Sequence, residues 1–299
     1  MNCSPIVLFT YNRLTHTQQT VEALQKNFLA SDSDLIIYSD GAKNEQAFSQ
    51  VNEVREYLKT IKGFKSVSII ERDKNWGLAD NIIDGVTEIV NKYGTIIVLE
   101  DDMITSQFFL KYMNEALEFY ENEQNVISIH GYNYPVKEKL PDTFFLKGAD
   151  CWGWATWKRG WNLFEPDGKK LYNEIVNKKL KNEFNFYNSY DYLNMLKRQC
   201  KGKNNSWAVR WYASAFLKNK LTLYPGKSLI NNIGLDGSGT HCANGNNLSA
   251  ELKNNMIKIG NITIEENQIA KKAISSFFRR NNQLTISVYK IITRILGKR

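Results

Sequence analysis

The first half of the chain alternates short apolar runs with longer amphipathic segments, and this alternation constrains the fold more than any other feature. The apolar runs are typical of strands buried on both faces of a sheet: Pro5–Thr10, Leu35–Tyr38, Val67–Ile70 and Thr95–Leu99. The segments between them have helical spacing: about Thr15–Phe28, Glu45–Thr60 and Leu78–Tyr93. This order predicts an α/β fold with a mostly parallel central sheet flanked by helices.

The second half is less regular. Its patterns predict helices at Ser106–Tyr120 and Trp207–Leu217 and strands at Val126–Ile129 and Leu221–Tyr224. A length of 299 residues allows one large domain or two small ones, and Pro135 and Pro141 mark a soft boundary. We expect two halves of one domain, residues 1–132 and 133–270, followed by a tail from 271 to 299.

The net charge of +8 comes from the tail, because residues 271–299 contain eight of the 39 basic residues and no acidic ones. The remaining chain has 31 basic and 31 acidic residues, which argues against a nucleic-acid-binding protein. The tail also has apolar residues on one helical face, Leu284, Val288, Ile291, Ile292 and Ile295. Such a basic amphipathic helix is typical of contact with an anionic membrane surface, although packing on the body or dimerisation would give the same pattern.

The sequence contains neither a secretory signal nor an apolar stretch long enough to cross a bilayer. Its four cysteines, Cys3, Cys151, Cys200 and Cys242, are far apart, which favours reduced and unpaired thiols. We therefore expect a cytoplasmic protein, peripheral on the cytoplasmic face of the inner membrane if the tail binds lipid.

Polar residues follow each of the first four predicted strands. They are Tyr11-Asn12-Arg13, Ser39-Asp40-Gly41, the segment from Arg72 to Gly77, and Glu100-Asp101-Asp102. Parallel strands end at the same edge of a sheet, and ligands bind outside that edge. These side chains are therefore candidates for a common binding site.

The acidic triplet Glu100-Asp101-Asp102 is the most informative of these motifs. Adjacent carboxylates repel one another, and a hard divalent cation such as Mg²⁺ or Mn²⁺ would offset the repulsion. A solvated turn or a helix start would also suit three acids. The buried strand before the triplet favours a functional role.

Three other groups are candidates with simpler alternatives. Asp40 could accept hydrogen bonds from a ribose or base, although an ordinary Asp-Gly turn is the favoured explanation for Asp40 taken alone. Arg13 and Asn12 could bind a nucleotide or its phosphates, or could form a surface ion pair and a helix cap. The loop from Leu235 to Cys242 has the glycines and small hydroxyl residues of a ligand loop, with His241 as a phosphate contact or metal ligand.

Four of the seven tryptophans lie between Gly148 and Trp161. We expect Trp161 in the core and Trp152, Trp154 and Trp157 on an exposed, sugar-binding face beside the neighbouring glycines. Asp150 precedes this segment and could orient a hydroxyl group or cap a turn.

Taken in order, these motifs resemble those of the GT-A-fold glycosyltransferases, the nucleotide-diphospho-sugar transferase superfamily. Within it, the chain is similar to a bacterial capsule or lipopolysaccharide group related to the N-acetylglucosaminyltransferase I type. The resemblance covers roughly residues 4–245 and depends on the order of four motifs: Tyr11-Asn12-Arg13, Asp40, Asn75-Trp76-Gly77-Leu78, and Val98-Leu99-Glu100-Asp101-Asp102, this chain's version of the D-x-D motif.

The resemblance implies a Rossmann-like donor half in residues 1–132 and a C-terminal acceptor-side half in residues 133–270. Asp102 would ligate Mn²⁺ or Mg²⁺, and the three tryptophans would bind the acceptor. The donor would contact Asn12, Arg13, Asp40, Asn75, Asp80, Glu100, Asp101 and His241.

The chain departs from the resemblance at the catalytic base. In inverting relatives a carboxylate follows the tryptophan of the segment that matches Ser206–Trp211, whereas this chain has Ala208 there. Three carboxylates elsewhere are candidate bases, Asp150, Asp191 and Asp236, and both the base and the stereochemical outcome stay open.

The resulting prediction is a metal-dependent hexosyl- or N-acetylhexosaminyltransferase of cell-surface polysaccharide synthesis. It would use a UDP-sugar or similar donor and a glycan or lipid-linked acceptor. A sugar-1-phosphate nucleotidyltransferase would need a glycine-rich loop after the first strand, which Tyr11–Leu14 lacks. A non-catalytic carbohydrate-binding protein would leave the acidic triplet unexplained.

Overall fold

The computed structural model describes residues 3–237 and 248–281. Eight strands form one sheet in the order β3-β2-β1-β4-β8-β6-β9-β7, and a two-stranded sheet pairs β5 with β10. The strands are β1 (Ile6–Thr10), β2 (Asp34–Ser39), β3 (Ser66–Glu71), β4 (Thr95–Glu100), β5 (Met103–Thr105), β6 (Val126–His130), β7 (Thr143–Lys147), β8 (Trp154–Trp157), β9 (Leu221–Pro225) and β10 (Ile230–Asn232).

Helices cover both faces of the large sheet. They are α1 (Leu14–Gln25), α2 (Glu45–Leu58), α3 (Leu78–Tyr93), α4 (Phe109–Phe119), α5 (Lys158–Trp161), α6 (Gly168–Asn177), α7 (Lys181–Phe184), α8 (Tyr192–Cys200) and α9 (Trp207–Leu217). A further helix spans residues 268–281.

Side chains of β1 alternate between two apolar cores. Ile6 and Leu8 pack in a core that includes residues of α1, α2 and α4, whereas Val7 and Phe9 pack in a core that includes residues of α3 and α9. Burial on both faces explains why this strand has an uninterrupted apolar sequence. The predicted α/β fold with a mostly parallel, helix-flanked sheet is confirmed.

Strand β3 differs from the prediction of burial on both faces. It is one of the two edge strands of the sheet, and Ser66, Ser68 and Glu71 are exposed while its other residues are half-buried. The short run VSII does not contain enough residues to distinguish an edge strand from a central one.

Strand β8 runs antiparallel between β4 and β6. Its first residue, Trp154, pairs with the last residue of β6, His130. The chain therefore leaves β6 and enters β8 at the same place in the sheet. That place is the edge at which the parallel strands end. The residues just before β8 therefore lie on the side of the sheet where the polar motifs are found.

The predicted boundary of the tail, residue 271, falls inside a helix of residues 268–281. Residues 271–281 belong to a helix whose apolar side chains Ala270, Ile274, Phe277 and Phe278 are buried against β7, α6, α8 and α9. Lys271 is also buried and forms a 2.7 Å ion pair with Glu266. The amphipathic pattern from Leu284 to Ile295 lies outside the described residues.

No helix in residues 3–237 and 248–281 is long and apolar enough to cross a membrane. Cys3, Cys151 and Cys200 have free thiols, as predicted, and Cys242 lies outside the described part of the chain.

Candidate active site

Arg13 binds both aspartates of the acidic triplet. Its Nη2 atom donates hydrogen bonds to Oδ1 of Asp101 and, at 2.7 Å, to Oδ2 of Asp102. Both aspartates are buried. The backbone carbonyl of Asp101 accepts a hydrogen bond from the Thr20 hydroxyl, and that of Asp102 accepts one from the Ile233 amide, each at 2.9 Å. The ends of β1 and β4, which pair in the sheet, thus hold three charged groups in fixed positions.

Each of these three side chains also buries a polar atom that has no hydrogen-bond partner among residues 3–237 and 248–281: Asp101 Oδ2, Asp102 Oδ1 and Arg13 Nη1. Buried carboxylate oxygens are costly without a partner, and they suit a hard cation that prefers oxygen ligands. Across residues 3–237 and 248–281, no three His, Cys, Asp or Glu side chains come together as a metal cage. The pair therefore suits Mn²⁺ or Mg²⁺ that completes its coordination with substrate phosphate oxygens and water.

The electrostatics of the triplet agree with this geometry. Burial raises the pKa of Glu100, and the charges of Asp102 and Asp101 raise it further. Burial also raises the pKa of Asp101, against the opposing effect of Arg13. For Arg13 itself, burial would lower the pKa, but the two carboxylates outweigh it and raise the value. The site therefore carries excess negative charge that one guanidinium offsets only in part.

The segment after β10 closes on this cluster. A Cβ atom at Gly234 would lie 2.1 Å from Oδ2 of Asp102, so only glycine allows this approach. Two residues later, Asp236 Oδ2 lies 3.2 Å from Nε2 of His16. His16, in the first turn of α1, was not among the predicted site residues, although it follows Arg13 by only three residues.

Asp40 holds the turn before α3 together. Its carboxylate is buried and accepts four hydrogen bonds: from the amides of Gly41 and Trp76 on Oδ1, and from the Gly77 amide and Asn75 Nδ2 on Oδ2. A carboxylate offers about four acceptor positions. A ribose or base would therefore have to replace one of these donors, and the contact between Asp40 and the nucleotide stays a prediction.

The other predicted donor residues surround this turn. Asn75 Nδ2 also donates to the Gly41 carbonyl at 2.8 Å, and Asn12 Nδ2 donates to Gln50 at 2.9 Å. Asp80 is exposed in the first turn of α3. Arg72, the first residue of the candidate segment that follows β3, stacks its guanidinium 4.0 Å from the centroid of the Trp76 ring.

Asp150 lies in an aromatic pocket just before β8. Its Oδ2 accepts hydrogen bonds from the hydroxyls of Tyr134 at 3.1 Å and Tyr224 at 3.4 Å, and its Oδ1 accepts from the Cys151 amide at 2.8 Å. His130 Nε2 lies 4.0 Å from Oδ1. A quarter of the Asp150 side chain is exposed, so a ligand can reach this carboxylate.

The Cys151 thiol is influenced by the charge of Asp150 and by charges of the acidic triplet. Burial raises its pKa, and the charges of Asp150, Glu100 and Asp102 raise it further. Asp150 precedes β8, which pairs with β4 and β6, so it lies at the same edge of the sheet as the triplet.

Two of the three tryptophans predicted on the acceptor face lie in the core instead. Trp154 is fully buried and packs on Trp161, Trp207 and Trp211. Trp157 is also buried and donates its indole N–H to the Leu117 carbonyl at 3.1 Å. They belong to β8, a central strand with both faces covered, so the adjacent glycines do not expose them.

Trp152 differs from the other two. It lies before β8, is half-buried, and packs edge-on against the Tyr132 ring with the centroids 4.7 Å apart. Its amide donates to His130 Nε2 at 3.2 Å, which places it beside the Asp150 pocket.

Two further predicted residues are not part of this cluster. Asp191 is an exposed residue that caps α8 through a hydrogen bond from the Asn194 amide, so its carboxylate has a structural role. His241 lies outside the described residues. Ala208, at the position where a base was expected, is half-buried in the first turn of α9.

The strand order, the flanking helices and the acidic pair at the carboxyl edge are consistent with the GT-A fold. Residues 6–191, more than half of the chain, match the model of glycosyl transferase family 2. The chain therefore belongs to glycosyl transferase family 2.

Solved structures give weaker similarities. A mannosyltransferase from Pyrobaculum calidifontis in complex with GDP-Man and Mn²⁺ is 10% identical, with 45% of this chain and 37% of that chain covered and a TM-score of 0.35. TarS from S. aureus is 13% identical, with coverages of 49% and 24% and a TM-score of 0.32. A putative nucleotide-diphospho-sugar transferase from Desulfovibrio desulfuricans is 11% identical, with coverages of 55% and 68% and a TM-score of 0.36. The chain thus spans well under two thirds of the first two structures, and no curated protein sequence matches it.

Proposed function

We propose that the protein transfers a hexosyl or N-acetylhexosaminyl group from a nucleotide-diphospho-sugar, with UDP as the expected nucleotide, in a reaction that requires Mn²⁺ or Mg²⁺. One observation carries the proposal: Asp101 and Asp102 bury unpartnered oxygens beside Arg13 in a member of a glycosyltransferase family. A diphosphate brings the oxygen ligands that the two carboxylates do not supply.

Each group at the donor end has a defined task in this proposal. Asp102, with Asp101 beside it, would hold the metal, and the bound metal would stabilise the charge of the departing diphosphate. Arg13 orients both carboxylates through its hydrogen bonds. Asn12, Asn75 and Asp80 would contact the nucleotide around the turn that Asp40 holds in place.

We assign the catalytic base to Asp150. Of the three candidates, Asp191 caps a helix and Asp236 pairs with His16, whereas Asp150 is partly exposed just before β8, at the edge of the sheet where β4 ends. In the transfer, the acceptor oxygen forms a bond to the anomeric carbon of the donor. The bond from that carbon to the diphosphate oxygen breaks, the nucleoside diphosphate takes the electron pair, and the acceptor proton passes to Asp150.

The acceptor is proposed to be a glycan or a lipid-linked saccharide of cell-surface polysaccharide synthesis at the cytoplasmic side of a membrane. The support is the half-buried Trp152 beside Asp150, together with the basic, amphipathic sequence from Leu284 to Arg299. An aromatic ring next to a carboxylate is a suitable surface for a sugar.

Thermal unfolding with a panel of nucleoside diphosphates, with and without Mn²⁺, tests the donor site. A ligand at about 100 times its dissociation constant adds roughly 2.7 kcal/mol of stability, which is readily measured. We expect stabilisation by one nucleotide only when Mn²⁺ is present. Asp102→Asn should abolish this stabilisation, and the matched Asp191→Asn variant should retain it. Stabilisation without metal, or none with any nucleotide in folded protein, would contradict the proposal.

Donor hydrolysis and transfer to a saccharide acceptor test the base. Asp150→Asn keeps the shape and most hydrogen bonds of the pocket, so nucleotide binding should be unchanged while kcat falls by about 10²–10⁴. If Asp236→Asn gave this pattern and Asp150→Asn did not, the base would be Asp236.

A further inference from the structure

A cluster of four cations lies at the end of α8 and in the loop that follows it. Lys197, Arg198, Lys201 and Lys203 are all exposed, and together with Asn194 they line an open cavity of about 330 Å³. We call this cluster the α8 basic surface. No acidic residue occurs anywhere between Tyr192 and Leu235 in the sequence.

The cations of the α8 basic surface form no ion pair within residues 3–237 and 248–281. Lys197 and Lys201 are four residues apart at the end of a helical turn, where like charges destabilise a helix. One cation near the carboxyl end of a helix is favourable, but the effect is limited to the last turn and is screened by salt. Helix stability therefore accounts for one or two of these cations and not for four.

The loop that carries Lys201 and Lys203 is held against α8. The Lys203 amide donates to the Arg198 carbonyl at 2.9 Å, and Asn204 Nδ2 donates to the Met195 carbonyl at 3.2 Å. The four backbone positions are thus fixed relative to one another before any partner binds. A fixed array of cations binds a multivalent anion at a lower entropic cost than a flexible one.

We propose that the α8 basic surface docks the enzyme on the anionic headgroups of a membrane. Charge complementarity requires an anionic partner, and two features favour lipid over nucleic acid. The four lining cations have no exposed aromatic ring among them on which bases could stack. In addition, the helix of residues 268–281 packs in the same apolar core as α8, and the chain after it continues into a sequence that combines cations with apolar residues.

The α8 basic surface lies where it could bring the active site to a lipid-linked acceptor. This step of the argument rests on the proposed function. Lys203 comes just before α9, and the first turns of α9 lie beside the start of α3. Burial lowers the pKa of Arg210 in α9, and the charge of Asp80 in α3 opposes that shift. Docking through the α8 basic surface would therefore hold this edge of the site near the headgroups.

Sedimentation of the full chain with vesicles tests the proposal directly. The vesicles are phosphatidylcholine alone or phosphatidylcholine mixed with phosphatidylglycerol. The triple variant Lys197→Gln, Lys201→Gln and Lys203→Gln removes three surface cations. The matched control Lys62→Gln, Lys137→Gln and Lys139→Gln removes three exposed cations elsewhere, none of them in an ion pair within the described residues.

We expect the unmodified chain to bind only the anionic vesicles. Each cation near an anionic surface contributes about fivefold to partitioning, so the α8 triple variant should bind at least about tenfold more weakly while the control binds normally. Equal binding by both variants would overturn the proposal. So would a loss of RNA or DNA binding in the α8 variant with unchanged vesicle binding, because the partner would then be a nucleic acid.

Metal-dependent stabilisation by a nucleoside diphosphate, measured on the same variants, separates this proposal from the donor proposal. No residue of the α8 basic surface belongs to the donor site, so this stabilisation should be unchanged. The unfolding midpoint of the α8 variant should be equal to or slightly above that of the unmodified chain because the repulsion between Lys197 and Lys201 is removed. A folded variant with normal nucleotide stabilisation and weak vesicle binding would support membrane docking specifically.

Discussion

Arg13 makes the proximity of Asp101 and Asp102 possible, because its guanidinium is the cation that hydrogen-bonds to both buried carboxylates. Arg13→Gln would leave two adjacent buried anions without that charge. In the presence of a chelator we expect the free energy of unfolding to fall by about 3–5 kcal/mol at neutral pH. Added Mn²⁺ should restore part of the loss, and Arg13→Lys, which keeps the charge, should lose less. Equal losses in both variants without rescue by Mn²⁺ would show that Arg13 acts through packing.

The raised pKa of Glu100 makes the stability of the metal-free protein depend on pH, with a sign that can be derived. Its pKa is raised by burial and by the neighbouring carboxylates, so the folded state holds a proton that the unfolded state releases above its ordinary pKa of about 4.3. Stability from this group is therefore lost as the pH rises through the window between the two pKa values. In chelator, Glu100→Gln should be more stable than the unmodified chain near neutral pH and should differ little from it near pH 4. A difference that grows toward acid would mean that the pKa of Glu100 is lowered instead.

At the scale of an element, Asp40 joins the end of β2 to the turn before α3. Asp40→Asn retains one acceptor oxygen and presents an NH₂ group to backbone amides that donate, so buried donors lose their partner. We expect the free energy of unfolding to fall by about 2–3 kcal/mol in chemical denaturation and the Trp76 and Gly77 amides to exchange faster. Asn75→Ala, which removes a single donor from Asp40, should cost less. Unchanged stability with lost nucleotide binding would instead support direct contact between Asp40 and the nucleotide.

The elements that could be predicted from sequence are those with a clear period. Helix α3 was predicted with its observed bounds, and β1 and β4 within one residue, because burial of one helix face or of both strand faces leaves a regular apolar pattern. Strands β7 and β8 were missed. The Trp-rich sequence of β8 has no alternation of polar and apolar residues, since tryptophans from α5 and α9 cover one of its faces.

The candidate site was predictable to the extent that topology alone brings strand ends together. The proximity of Arg13, Asp101 and Asp102 follows from adjacent parallel strands. The saturation of Asp40 by three backbone amides and one side chain does not, because it depends on how a loop folds. The same holds for Asp150, whose position follows from the reversed direction of β8, a strand that the sequence did not reveal.

At the scale of the whole molecule, the helix of residues 268–281 packs in an apolar core that it shares with β7, α6, α8 and α9. Phe277 and Phe278 are buried there, whereas Ile269 on the same helix is 66% exposed. We expect Phe277→Ala and Phe278→Ala each to lower the free energy of unfolding by about 3–5 kcal/mol. Ile269→Ala should change it by less than about 0.5 kcal/mol. Equal effects of all three in chemical denaturation would show that the helix does not pack on the body.

The net charge of residues 1–270 gives no indication of the α8 basic surface. Residues 1–270 carry equal numbers of basic and acidic residues, yet the stretch from Tyr192 to Leu235 contains only basic ones. A net charge of zero does not require an even distribution of charge over the surface. The fold shows that four cations share one side of α8 and the loop after it: Lys197, Arg198, Lys201 and Lys203.

The pairing of His130 with Trp154 has an evolutionary consequence. Because residues 131–153 begin and end at neighbouring positions, the loops on either side of β7 can change in length and content without stretching β6 or β8, as long as β7 keeps its pairing with β9. The segment includes Asp150 and Trp152 and adds its own strand to the sheet through β9. Related chains could therefore diversify what they modify by exchanging this one module, while the strands that hold Asp101 and Asp102 keep an inherited donor chemistry unchanged.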